Sequence, residues 1–149
     1  MPIVVIGVNH RTGPVSFLEK VMISDSTMPH ALKSLSGRDD IREAVVLSTC
    51  NRTEIYAVVE RFHGAYDEIQ NFLCETSGCD ADEVTPHLYS QWDDEAIKHL
   101  FEGASGLDSA VLGESEIIGQ VRNAWEVAMA EGASRNTLNL LFRYALEVG

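Results

Sequence analysis

Ser48-Thr49-Cys50-Asn51-Arg52-Thr53-Glu54 sets a thiol, a guanidinium and several small polar groups between two apolar runs. A thiol attacks a carbonyl carbon as its thiolate, and a neighbouring cation raises the thiolate fraction. Arg52 stands two residues beyond Cys50. In a regular strand such a pair shares a face, whereas a turn leaves the relation open. Most free cysteines are small buried hydrophobes, and composition alone favours that reading of Cys50. Its polar neighbours Thr49, Asn51 and Arg52 weigh against it.

A second candidate group lies in "GLDSAVLGESEIIGQVRNAW". Ile117, Ile118, Val121, Ala124, Trp125 and Ala128 form one helical stripe, with Glu116 and Gln120 a turn apart on its flank. Glu114 projects close to the stripe, where a buried carboxylate needs an arginine or a polar ligand beside it. Glu114 and Glu116 also suit the positive end of a helix dipole, which on spacing alone is the better reading. His99 sits one helical period from Trp92, at the margin of the face made by Ile97, Leu100 and Ala104. It is either a packed, hydrogen-bonded histidine or a proton donor, and spacing leaves both open. Neither glycine cluster has the G-x-G-x-x-G spacing after a strand that a dinucleotide site needs.

The elements that must position these groups follow from periodicity. "IVVIGV" (3–8) and "EAVVLS" (43–48) read as buried strands, and "EIYAVVE" (54–60) as the partner of the second, so that Cys50 falls in the turn between them. Weak helical patterns run from Pro14 to Lys20 and from Ser26 to Leu35, with Ser26 as the cap. Residues 65–76 predict an amphipathic helix, followed by a loop and a short strand. Ser90 with Asp93 resembles a capping box opening a further helix. A long helix is expected from about Glu114 to Ala130, and another from near Ser134 to Gly149. The apolar stripe of that last helix is broad, as if more chain continues beyond it. The expected fold is α+β: a ferredoxin-like sandwich with a mainly antiparallel sheet, packed helices and additional C-terminal helices.

At 149 residues and 45% hydrophobic, the chain is long enough to bury a core of its own. It has no run of eighteen apolar residues and no secretory leader pattern at "MPIVVIGVNH", so a cytoplasmic protein without membrane contact is expected. Cys50, Cys74 and Cys79 lack CxxC spacing and are expected to be free thiols, with no metal site. A net charge of −12 and only three lysines disfavour extensive contact with a nucleic-acid backbone.

Taken together, "GVNHRTGPV", "STCNRTEIY" and "GLDSAVLGESEIIGQVR" resemble, in order and separation, the N-terminal catalytic domain of glutamyl-tRNA reductase, over nearly the whole chain. The resemblance implies an NADPH-dependent oxidoreductase. Cys50 would attack the ester joining glutamate to tRNA, and the thioester would be reduced to glutamate-1-semialdehyde at the entry to tetrapyrrole (5-aminolevulinate) synthesis. On the same basis Thr49, Asn51 and Arg52 would hold the glutamyl group, with Arg52 facing its side-chain carboxylate. Ser109, Glu114, Ser115, Glu116 and Gln120 match the family's second substrate-binding segment, and His99 a position tied to activity. Ala110 departs from the larger residue usual in the family, often Met, and Glu116 from Gln.

The resemblance further implies a 1–133 catalytic (glutamate-recognition) domain and a 134–149 helix leading toward an NADPH-binding domain. That domain and a dimerisation domain, the basis of a homodimer, would lie outside these 149 residues. These residues alone are then expected to form the acyl-enzyme and lose it to water without reducing it. Two other readings compete: a cysteine esterase or acyltransferase acting on small esters, and an acidic, non-catalytic interaction domain with a core cysteine.

Overall fold

The computed structural model describes residues 2–105 and 117–148. Four strands form one sheet: β1 (Ile3–Asn9), β2 (Ile41–Ser48), β3 (Arg52–Val59) and β4 (Tyr89–Trp92). Their order is β2-β3-β1-β4 and every pair is antiparallel. Helices α1 (Val15–Val21) and α2 (Met28–Ser36) connect β1 to β2. Helices α3 (Phe62–Ser77) and α4 (Ala81–Val84) connect β3 to β4. This is the βαββαβ plan of a ferredoxin-like sandwich, as expected. Three more helices follow: α5 (Asp94–Ser105), α6 (Ile117–Ala130) and α7 (Asn136–Val148).

All eight residues of β3 are buried, so both faces of the sheet are covered. Alternation sends Thr53, Ile55, Ala57 and Val59 toward α1, α2 and α3, and Arg52, Glu54, Tyr56 and Val58 toward α5 and α7. On the second side Tyr56 meets Phe142 edge to face, ring centroids 5.5 Å apart at 87°. Helix α6 packs along β2 and also reaches α2. The outer edge of β2 is partly closed by the chain after α6, where Ala44 N–H donates to Ala133 C=O at 2.9 Å.

The apolar stripe read for α6 is the buried one, with Ile117, Val121, Ala124 and Ala128 inside and Ile118 and Trp125 packed against the core. In α7, Leu138, Phe142, Ala145 and Leu146 enter the same core as the sheet, while Leu140 and Tyr144 are exposed. Buried Glu43 on β2 accepts backbone N–H groups of Arg135, Thr137 and Leu138 at 2.8, 3.2 and 3.0 Å, capping α7 from the sheet.

Two local expectations are corrected. Helix α2 is preceded by Thr27 rather than capped by Ser26; Ser26 instead shares a hydroxyl contact with Ser24. Ser90 opens no helix, because it pairs with Ile6 as the second residue of β4. The turn comes at Asp93, at φ 48°, whose carboxylate accepts the Ile3 N–H. Trp92 and His99 are therefore not a helical turn apart. Trp92 packs on Phe62 of α3 while His99 lies on the opposite side of the sheet.

Candidate active site at the β2–β3 hairpin

Antiparallel pairing of β2 and β3 ends at Ser48 opposite Thr53. Thr49 N–H then donates to Arg52 C=O at 2.7 Å, leaving Cys50 and Asn51 as the two corner residues of a tight turn. Neither corner residue has positive φ. The turn is held instead by the Thr49 hydroxyl, which accepts the Asn51 N–H at 3.1 Å. At its base the Ser48 and Thr53 hydroxyls share a 2.9 Å hydrogen bond, and Ser48 also accepts the Ile23 N–H. The tip is thereby tied to the sheet and to the segment after α1. Cys50 is exposed on this fixed tip, while Thr49 and Arg52 are buried.

Beneath the tip lies a buried polar array that spacing alone did not single out. Glu54, two residues past Arg52 in a strand, projects from the same face and is fully buried. Its Oε1 lies 3.9 Å from Arg52 Nη1 and accepts the Tyr56 hydroxyl at 3.2 Å. Its Oε2 meets His99 Nε2 at 2.5 Å and accepts a short hydrogen bond from the Tyr89 hydroxyl. Burial pushes the Glu54 pKa up, but the His99 bond and charge, with Arg52 and Tyr89, outweigh it and hold the carboxyl below its ordinary range. The Tyr89 phenol is driven well above its ordinary value, first by burial and then by the Glu54 charge.

Gly7, opposite Glu54 on β1, permits the close approach. A Cβ there would stand 2.5 Å from the Thr53 carbonyl oxygen and 2.9 Å from Glu54 Cα. The sequence signal for Glu54 is a carboxylate in phase with Arg52 in an otherwise apolar strand. Gly7 and Tyr89 carry no such signal, because cross-strand register is not local.

Two clefts flank this end of the sheet. On the β2 side a cleft of about 880 Å³ runs between Ser48, Leu47 and Met28 and the start of α6, where Gly119, Gln120 and Asn123 line it. Gln120 Oε1 is buried with no hydrogen-bond partner among the described residues. On the β1 side a cleft of about 260 Å³ is lined by Arg11, Thr12, Gln91, His99 and Glu102, among others. A third cavity lies between α2 and α3.

Arg52 and His99 thus meet at Glu54, and Thr49, Cys50 and Asn51 lie directly ahead on the hairpin. Gln120 faces the β2 cleft. Ser109, Glu114, Ser115 and Glu116 lie outside the described residues. The described residues do not fit a dinucleotide cradle, since the all-antiparallel sheet supplies no strand–glycine loop–helix unit of a parallel βαβ. Among them no three His, Cys, Asp or Glu side chains converge as a metal site, and no helix is long and apolar enough to cross a membrane.

Residues 6–149 match a family profile described as "Glutamyl-tRNAGlu reductase, N-terminal domain". The chain is 46% identical over all 149 residues to a glutamyl-tRNA reductase of Frankia alni, covering 32% of that protein. It is 42% identical over 149 residues to one of Paenibacillus macerans, covering 34% of it. It resembles the solved glutamyl-tRNA reductase from Methanopyrus kandleri with TM-score 0.73 and 30% identity, over 97% of this chain and 32% of that one. The chain therefore spans about a third of the length of the relatives it matches.

Proposed function

Because the chain belongs to the glutamyl-tRNA reductase family, through that family's N-terminal domain, we propose that it is the part that takes glutamate from glutamyl-tRNA onto Cys50. The observation carrying this reading is the exposed thiol on a fixed hairpin tip, directly ahead of the buried Arg52–Glu54–His99 array.

An aminoacyl ester is already activated, so the reaction needs a positioned thiolate and an oriented carbonyl. Cys50 sulfur bonds to the ester carbonyl carbon, the bond from that carbon to the ribose oxygen breaks, and the oxygen leaves with a proton. His99 is the proposed proton source. A carboxylate on one ring nitrogen orients an imidazole, the role Glu54 takes here.

Arg52 is the proposed partner of the glutamyl side-chain carboxylate, with Thr49 and Asn51 holding the group from the hairpin. Glu54 already compensates the buried guanidinium, so an incoming neutral side chain does not leave Arg52 wholly unpaired. A charged hydrogen bond contributes about 1.5–3 kcal/mol, which sets the preference for glutamate over glutamine near one to two powers of ten. The Gln120 oxygen, without a partner among the described residues, suits the substrate α-amino group. Ser109, Glu114, Ser115 and Glu116 are proposed to complete the substrate contacts.

For the longer protein, NADPH is proposed as the reductant that turns the thioester into glutamate-1-semialdehyde, in a soluble, cytoplasmic homodimer. The described residues offer no cradle for it, and these 149 residues are proposed to stop at the thioester and lose it slowly to water. The last helix, 134–149, is proposed to lead toward the NADPH-binding domain.

The test is intact mass spectrometry of the chain after mixing with glutamyl-tRNA. A glutamyl adduct on Cys50, absent in Cys50→Ser, is expected. Free glutamate without an adduct-forming cysteine, or semialdehyde made by this chain alone, overturns the reading.

A further inference from the structure

An ester has two sides, and the thiol stands between two clefts. In the strand order, the hairpin carrying Cys50 joins β2 to β3; the large cleft lies beyond β2 and the small one beyond β3, at β1 and β4. Asn9, the last residue of β1, pairs with Arg52, so the small cleft opens at the same end of the sheet as the thiol. It also shares His99 with the buried array.

Building on the acyl-transfer reading, we propose that this cleft is the subsite for the leaving alcohol and receives a nucleotide, the 5′-phosphate on Arg11 and a ribose hydroxyl on Glu102. The two clefts differ in chemistry. The β2 cleft includes Met28, Val46, Leu47 and Val127, whereas Arg11, Gln91, His99 and Glu102 give the other an almost wholly polar lining of both donors and acceptors. Such a mixture suits a ligand with one anionic end and one hydroxylated end. Inorganic phosphate alone would meet Glu102 as a like charge; a ribose phosphate spans both groups.

The backbone that carries Arg11 is held by its own turn. Asn9 Oδ1 accepts the Arg11 N–H at 2.9 Å, and Thr12 Oγ1 accepts the Asn9 N–H at 2.9 Å. His87 Nδ1 contacts the Thr12 carbonyl at 3.0 Å, anchoring that turn to the segment before β4. In a chain of net charge −12, an arginine carried on a braced turn beside the proposed active site is a selective feature rather than part of a basic surface. Contact confined to one phosphate also fits an acidic domain that meets only the tip of a nucleic acid.

The probe is 5′-AMP, titrated into the chain with Cys50 blocked by alkylation and followed by amide NMR. Shifts confined to Arg11, Thr12, Gln91 and Glu102, with none of that pattern from inorganic phosphate, are expected; shifts elsewhere or none overturn the subsite. Acylation rates are then compared for the glutamyl ester of AMP and for glutamate methyl ester. The ratio of the two kcat/KM values should fall about tenfold in Arg11→Gln. An unchanged ratio overturns the assignment even where AMP binds, since the nucleotide would then serve something other than the leaving group. If AMP shifts the cleft but neither ester acylates Cys50, the subsite stands as a nucleotide site and the acyl-transfer reading falls.

Discussion

His99 and Glu54 are 45 residues apart in sequence and bonded in the fold, Nε2 to Oε2 at 2.5 Å, with the carboxylate sealed inside the sheet's second layer. The bond ties α5 to β3, and through Glu54 it reaches Arg52 and both tyrosines. Glu54 is therefore the common partner of groups that arrive from three separate elements. Substituting it should cost more than substituting any one of them.

Glu54→Gln keeps the shape and removes the charge opposite Arg52. Breaking a buried ion pair by neutralising one member costs about 3 kcal/mol or more. Urea unfolding should show a lower midpoint at unchanged slope. A loss below about 0.5 kcal/mol would mean that the array is not energetically coupled.

The same carboxylate should set part of the acid stability. Its pKa is lowered in the folded state, so its contribution is present above the unfolded-state value and fades as pH falls through the native one. The loss should begin near the ordinary glutamate value of about 4.3 and be complete below the native pKa. Glu54→Gln should flatten that part of the curve, read as the difference in unfolding free energy between wild type and variant from pH 7 to 3. Parallel curves across that range would contradict the assignment.

Alkylation should separate the three thiols. Cys50 is exposed on its turn, Cys79 is buried, and the Cys74 thiol is pushed up by burial first and then by Asp80. Iodoacetamide at neutral pH should label Cys50 first, by peptide mass spectrometry. Cys50→Ser should leave stability within about 0.5 kcal/mol of wild type, as for other exposed substitutions. Faster labelling of Cys74, or a large destabilisation, would return Cys50 to the role of a packing residue.

Short-range pattern carried the sheet well. "IVVIGV" and "EAVVLS" are strands because β-branched runs between turn residues have few alternatives, and the α6 stripe is what a 3.6 period makes visible. Ser90 misled because its spacing to Asp93 satisfies a capping rule that is purely local, whereas pairing with Ile6 across the sheet decided its conformation. The role of Glu54 beside Arg52 is hidden from the sequence for a related reason. Its neighbours His99 and Tyr89 come from elements that only the register of β1 with β3 and β4 brings alongside.

That register rests on Gly7, and Gly7→Ala tests it. The added methyl would be driven into the Thr53 carbonyl and Glu54 Cα, backbone atoms that cannot swing aside. Parting β1 from β3 at that point should cost about 1–3 kcal/mol, as other overpacked sites do. Activity should fall further than stability does, because Glu54 moves with the strand. Acylation of Cys50 and thermal midpoint, measured on the same sample, distinguish the two effects; equal fractional losses would make Gly7 a packing residue only.

Glu43 offers a control on the opposite end of the same face. Its carboxylate satisfies three backbone N–H groups at the start of α7, a helix that otherwise has no acidic residue in its first turn. Glu43→Ala orphans those donors and removes a charge favoured by the helix dipole, at about 2 kcal/mol. The cap lies far along β2 from the hairpin: Glu43 pairs with Val58, at the other end of β3 from Arg52. The variant should therefore lose stability and hydrogen-exchange protection in α7 while Cys50 labels at the wild-type rate. Slowed labelling would show that α7 and the hairpin move together.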